Sequence, residues 1–149
     1  MSEAKATPEV VTICIPSRLE MLNLLDCVSS ALCERMKFDS DVCSMVTMSV
    51  IEAGTNAIQH GHQRDASKVV DVNFSLFSDR IEISIRDQGG GFDPKSVNGD
   101  ITTPDRLLDA RGRGIFIMKS CMDTVDFEFT QAGTICRLVK RRPESSTPA

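Results

Sequence analysis

The sequence contains few of the residue patterns that build metal or disulfide frameworks. It has two histidines, His60 and His62, and six cysteines that form no C-x-x-C pair. Neither histidine has a cysteine close enough in sequence for a zinc pattern, so we expect no zinc site. Cysteines at apolar positions of a cytosolic chain are typical of reduced thiols, which pack as small hydrophobic side chains.

The sequence also lacks an apolar run long enough to span a membrane and a recognisable signal peptide. A net charge of −4 argues against direct nucleic-acid binding, and the basic cluster at 140–142 is too short to reverse it. We therefore expect a cytoplasmic protein. Its 149 residues predict one domain at 10–141, between a flexible N-terminus (1–9) and a disordered tail (142–149).

Hydrophobic periodicity predicts the element order β-α-α-β-β-loop-α-β-β. Ser17 and Glu20 have the spacing of a capping box for the first helix, Asp39 or Ser40 can cap the second, and Gly112 begins the third. These elements include too few crossovers for a doubly wound sheet. We therefore predict an α+β fold, a two-layer α/β sandwich with a mixed β-sheet and helices on one face.

Two polar residues interrupt the second predicted helix, which is apolar nearly all round and which we expect to be buried. Glu52 and Asn56 are four residues apart and therefore share one helix face. A buried carboxylate must be hydrogen-bonded, paired or bound to a cation. Two interpretations remain open: the two side chains bond each other or nearby backbone, or they form a site for Mg²⁺ and phosphate.

Two glycine-rich segments have a similar ambiguity. The pattern Asp-x-Gly-x-Gly at 87–91 ends a predicted strand, where Asp87 can accept a hydrogen bond from the amine of adenine or simply form a tight turn. Gly112, Arg113 and Gly114 at a helix start can bind phosphate, or they can form a hinge with a solvated arginine. The sequence has neither a Walker A motif nor G-x-G-x-x-G, so any nucleotide binds in another way.

Four motifs in this order carry a family resemblance: E-A-G-T-N-A-I-Q-H-G, D-Q-G-G-G-F, G-R-G-I-F-I-M and a closing Gly133-Thr134. Together they resemble the ATP-binding superfamily of gyrase, heat-shock chaperone, histidine kinase and mismatch-repair proteins. The short domain and the phrase GRGIFIMKSCMDTVDF are similar to the bacterial anti-sigma factor serine/threonine protein kinases of partner-switching systems. This resemblance implies a histidine-kinase-like ATPase domain that uses ATP and Mg²⁺.

The resemblance also implies roles for individual residues. Asn56 would ligate the Mg²⁺ that bridges the ATP phosphates, and Glu52 would act as the general base toward a partner's hydroxyl. Asp87 would recognise adenine, supported by Thr134. Gly89 and Gly91 would shape the adenine pocket. The segment at about 94–111 would be the ATP lid, and Gly112, Arg113 and Gly114 would close on the phosphates.

The implied activity is that of a protein serine/threonine kinase and anti-sigma factor. Such a kinase phosphorylates an anti-anti-sigma partner and sequesters a sigma factor, and it forms a homodimer in the best-known cases. Two alternatives remain: an ATP-gated binding module without transfer, and a detached histidine-kinase catalytic domain. The second is disfavoured because no helical phosphoacceptor region accompanies the ATP motifs.

Overall fold

The computed structural model describes residues 7–61, 65, 67–88 and 110–143. A 3₁₀ turn (Leu19–Met21) precedes the first helix, and a π-helical turn (Ala57–Gly61) follows the second. The helices are α1 (Leu22–Arg35), α2 (Ser40–Asn56) and α3 (Ala110–Cys121). The strands are β1 (Glu9–Pro16), β2 (Val69–Leu76), β3 (Arg80–Arg86), β4 (Thr124–Thr130) and β5 (Gly133–Arg141).

The strands form one sheet in the order β1-β2-β3-β5-β4. Each pair of neighbouring strands is antiparallel, so the expected mixed sheet is wrong for the described strands. The two hairpins β2-β3 and β4-β5 reverse the chain direction locally, whereas β1 pairs with β2, and β3 with β5, across longer stretches of chain. The predicted α+β fold is confirmed, with one sheet and three α-helices among the described residues.

The core lies between the sheet and the helices. Alternation in β2 and β3 places Val72 opposite Ile85 and Phe74 opposite Ile83 on the buried face. Helix α2 contributes Val46 and Val50 to the same cluster, as predicted from its helical spacing.

The two helix starts differ from each other in how they are capped. Asp39 caps α2, because its Oδ1 accepts a hydrogen bond from the Val42 N–H at 3.0 Å. The predicted capping box at Ser17 and Glu20 is wrong. Ser17 is buried at the end of β1, where its N–H donates to the Lys68 carbonyl, and Arg18 precedes the 3₁₀ turn without a side-chain cap.

Helix α2 is not buried all round, although its composition suggests that it is. Met45 and Met48 are 38% and 48% exposed, so one stripe of the helix faces solvent. On another side α2 packs closely against α1, since a Cβ at Gly54 would lie 2.9 Å from Cδ2 of Leu22.

Within the part of the chain that the structure describes, no helix is both long and apolar enough to cross a membrane. Most of the expected ATP lid lies outside the described residues, as do 1–6 and 144–149 of the expected termini. The first described strand, β1, begins at Glu9 and the last, β5, ends at Arg141, and the predicted domain limits stay a prediction.

Candidate nucleotide and phosphate site

Asp87 lies directly after β3, beside the start of β5. The Asp87 N–H donates to the Thr134 carbonyl at 2.9 Å, and the Thr134 N–H donates to Oδ1 of Asp87 at 3.2 Å. Gly133 makes this pairing possible, because it has a φ of +141° and a Cβ there would lie 2.0 Å from the Asp87 carbonyl oxygen. The structure therefore joins Asp87 and Thr134, which are distant in sequence, and fixes the Asp87 carboxyl at the sheet edge.

Thr134 carries a polar atom that lacks a partner. Its side chain is 5% exposed, and Oγ1 forms no hydrogen bond with any residue that the structure describes. Buried hydroxyl groups are normally hydrogen-bonded, so an orphaned one beside a buried carboxyl indicates a place for a polar ligand. The amine and ring nitrogens of an adenine base supply donors and acceptors that fit this pair.

The second part of the site is the contact between α2 and α3. Glu52 and Asn56 are half-buried on one face of α2, as their spacing predicts, and both side chains reach Gly114. A Cβ at Gly114 would lie 2.9 Å from Oε2 of Glu52 and 3.6 Å from both Oδ1 and Nδ2 of Asn56. The absence of a side chain at Gly114 thus leaves room for the polar pair.

The prediction that Gly112 begins the third helix is wrong, because α3 begins at Ala110. Only the first N–H groups of a helix lack an internal partner. Gly112 lies early enough to present its N–H to an anion, whereas Gly114 lies in the hydrogen-bonded part of the helix. Arg113 is exposed and Gly112 is buried. The three residues therefore contribute in different ways: Gly112 offers an amide N–H, Arg113 an exposed cation, and Gly114 the space left by its missing side chain.

Two features of the site were not predicted from the sequence. The π-helical turn Ala57–Gly61 continues α2 past Asn56 and packs against β5, which carries Thr134. Such turns often occur at functional sites. The side chain of Gln88 accepts a hydrogen bond from the Val69 N–H at 3.3 Å, which ties the segment after Asp87 to the start of β2. A glutamine beside a glycine-rich turn gives no sequence signal for that contact.

The chemistry available here is that of oxygen ligands and one carboxylate. No group of three or more histidine, cysteine, aspartate or glutamate side chains that could hold a metal ion occurs among the described residues. A Mg²⁺ ion that takes most of its ligands from phosphates and water needs only one or two protein oxygens, so the amide of Asn56 fits this requirement. The carboxylate of Glu52, which belongs to α2, lies beside Gly114 in the N-terminal half of α3.

Comparison with known proteins identifies relatives of this chain. The family model of the histidine kinase-like ATPase domain matches residues 15–140. Serine-protein kinase RsbW of Bacillus velezensis is 30% identical over 126 residues, which cover 81% of this chain and 79% of that protein. The enzyme of the same name from Bacillus subtilis is 29% identical over 126 residues, with the same coverage.

Solved structures support the fold. A crystal structure of the RsbU and RsbW domains of a Mycobacterium tuberculosis protein has a TM-score of 0.63 at 13% identity and covers 91% of this chain and 33% of that one. A histidine kinase domain from Erythrobacter litoralis has a TM-score of 0.54 at 18% identity, covering 95% and 66% respectively. The sequence matches confirm the resemblance to the anti-sigma factor serine/threonine protein kinases that the four motifs predict.

Proposed function

This chain belongs to the histidine kinase-like ATPase domain family, and from that membership we propose that it is an ATP-dependent protein serine/threonine kinase and anti-sigma factor. The observation that carries the proposal is that the side chains of Glu52 and Asn56 both lie beside Gly114, in the space that a side chain there would fill. A phosphoryl-transfer site needs a metal ligand, a base and close backbone approach to the phosphates in one place. These three residues can supply them.

ATP binds with its adenine at the sheet edge in this proposal. The Asp87 carboxyl accepts a hydrogen bond from the adenine amine, and the Thr134 hydroxyl gains the partner that it lacks among the described residues. The Thr134 N–H, which donates to Oδ1 of Asp87, holds the carboxyl in place. Gly89 and Gly91, which lie outside the described residues, complete the adenine pocket.

The phosphates extend toward α2 and α3. Asn56 would hold a Mg²⁺ ion, which would supply charge neutralisation at the phosphate oxygens. The N–H of Gly112 and the exposed guanidinium of Arg113 offer further contacts to the phosphates, because an arginine binds phosphate oxygens through charge-assisted hydrogen bonds. Gly114 keeps Glu52 and Asn56 within reach of them, and the segment at about 94–111 acts as the lid.

Glu52 is the proposed general base. The proton of the partner's serine or threonine hydroxyl passes to the Glu52 carboxylate while the hydroxyl oxygen forms a bond to the γ-phosphorus. The bond between the γ-phosphorus and the bridging oxygen breaks, and ADP leaves with that electron pair. The product is a phosphoserine or phosphothreonine on the partner.

The proposed partners follow from the family. The kinase phosphorylates an anti-anti-sigma protein and sequesters a sigma factor, acting as a homodimer in the cytoplasm, where RNA polymerase works. The relatives are kinases of serine in proteins, as their name states. A histidine acceptor is therefore not part of the proposal.

The test uses labelled ATP and purified candidate anti-anti-sigma proteins of the same organism. We expect acid-stable phosphate on one candidate, since phosphate esters of serine resist acid and phosphohistidine does not. Glu52→Gln should reduce transfer by about a thousandfold while ATP affinity stays within about twofold. Asn56→Ala should lose Mg²⁺-dependent ATP binding.

The matched control is Glu20→Gln, which removes an exposed carboxylate from the turn before α1. Transfer by Glu52→Gln at the wild-type rate would remove this residue from the mechanism. Normal ATP binding without transfer to any candidate would instead favour an ATP-gated binding module.

A further inference from the structure

A groove with a volume of about 590 Å³ runs between α1 and α2 on their solvent side. Its α2 wall is a partly exposed stripe of that helix, which includes Thr47, Met48 and Ile51 and ends at Glu52. A hydrogen bond between the hydroxyls of Ser30 and Thr47, at 3.5 Å, crosses the groove floor. The groove is therefore a concave surface that leads to Glu52, the proposed catalytic base.

The groove combines apolar surface with negative charge. Met48 is 48% exposed, and Ile51 and Glu52 are half-buried beside it. Asp26 and Glu34 lie on the α1 wall, and none of the described residues that line the groove is a lysine or an arginine. In the described part of the chain, Asp26, Glu34 and Glu52 form no ion pair. An occupant that brings both basic and apolar side chains would complement this surface.

We propose that this groove docks the phosphoacceptor protein through a segment that carries basic and apolar side chains next to the acceptor hydroxyl. The inference rests on the proposed function, because it takes Glu52 as the base. The groove is continuous with the proposed base, because Glu52 lines it together with Asp26 and Glu34. A segment that lies along Asp26 and Glu34 brings the adjoining residue of the same protein to Glu52, at the end of the groove.

The spacing of the two carboxylates defines the occupant further. Asp26 and Glu34 are eight residues apart on α1, which corresponds to about 12 Å along the helix. Two basic side chains four residues apart in an extended segment span about 13 Å and point to the same side. The side chain midway between them also points to that side, where an apolar residue would contact Met48 and Ile51.

The experiment measures the binding of labelled peptides by fluorescence anisotropy, with the full chain and saturating Mg²⁺ and ATP. One peptide has a serine followed by two lysines four positions apart with leucine midway, and its twin has glutamate in place of both lysines. We expect the lysine peptide to bind at least about tenfold more tightly at low salt. In the double variant Asp26→Asn and Glu34→Gln, the ratio of the two peptide affinities should fall about fivefold.

The matched control is Asp126→Asn, which removes an exposed carboxylate from β4. It should keep the full preference. Equal binding of both peptides to the wild type, or a preference that the double variant retains, would overturn the docking role.

Titration with ATP on the same samples separates the two proposals. Normal ATP binding and transfer with no charge preference would remove the docking groove and leave the kinase intact. A charge preference in a chain that does not bind ATP would overturn the identification of the occupant as a phosphoacceptor.

Discussion

The Cβ position of Gly114 lies 2.9 Å from Oε2 of Glu52, closer than a real Cβ atom comes to such a neighbour. The same position lies 3.6 Å from the amide of Asn56. A side chain at residue 114 would therefore have to displace the carboxylate at the flexible end of Glu52 or move α3 away from α2. This relationship couples the position of α3 to the position of the proposed base.

Gly114→Ala should displace the carboxylate of Glu52 or push α3 away from α2. Because a misplacement of about 1 Å can cost a hundredfold in rate, we expect phosphoryl transfer to fall at least tenfold. The measurement is single-turnover transfer to the partner at saturating ATP. Gly54→Ala is the control, since its Cβ would also lie 2.9 Å from a neighbour, but from the apolar end of Leu22. Equal losses in both variants would indicate general helix strain.

Asp87→Asn tests the adenine contact with little change of shape. The asparagine oxygen can still accept the hydrogen bond from the Thr134 N–H, so the fold should persist. The charged acceptor is lost, and such hydrogen bonds contribute about 1.5–3 kcal/mol, so ATP affinity should fall about tenfold to a hundredfold. Calorimetric titration measures it, with Asp126→Asn as the exposed control. Unchanged affinity would place adenine elsewhere.

The parts of the site that could be predicted from the sequence are those set by local spacing. Glu52 and Asn56 share a face because residues four apart on a helix always do. Asp87 reaches the sheet edge because it follows an alternating strand. Neither conclusion needs knowledge of how the helices pack.

The parts that could not be predicted depend on contacts between distant segments. No local pattern reveals that Gly114 faces Glu52, or that one stripe of α2 stays exposed at Met48. The capping box at Ser17 failed for the same reason, because the residue is held by the end of β1 and the Lys68 carbonyl. Hydrophobic periodicity also does not fix the relative direction of the strands, so the antiparallel pairing was missed.

Thr134→Val should affect stability and ligand binding in opposite directions. Removing a buried hydroxyl that has no partner among the described residues should raise the free energy of unfolding by about 1 kcal/mol. ATP affinity should fall about fivefold, since the hydroxyl is expected to bond the nucleotide. Thermal unfolding and ATP titration measure the two effects. Ser29→Ala removes another such hydroxyl from α1 and should raise stability without changing ATP affinity. A loss of stability in Thr134→Val would show that the hydroxyl is already satisfied.

The six cysteines were expected to be buried, and two of them, Cys33 and Cys136, are fully so. Cys14 is exposed on the outward side of β1, and Cys27 is exposed on the outward side of α1. Alkylation of the folded protein should therefore modify Cys27 rapidly and leave Cys33 and Cys136 intact, as peptide mass spectrometry would show. Burial raises the pKa of both buried thiols to about 12, so they stay protonated as well as covered.

These raised pKa values also predict how stability depends on pH. Above the ordinary thiol pKa of 9.0 the unfolded chain loses protons that the folded chain keeps at Cys33 and Cys136 until about 12. The unfolded state then binds fewer protons, so the contribution of these thiols to stability is complete below 9.0 and declines as the pH rises toward 12. Thermal unfolding measured across this range should show a falling Tm. In Cys136→Ala the total fall should be smaller by about 10 °C, whereas the exposed control Cys27→Ala should follow the wild type. Parallel curves for all three proteins would mean that other groups cause the decline.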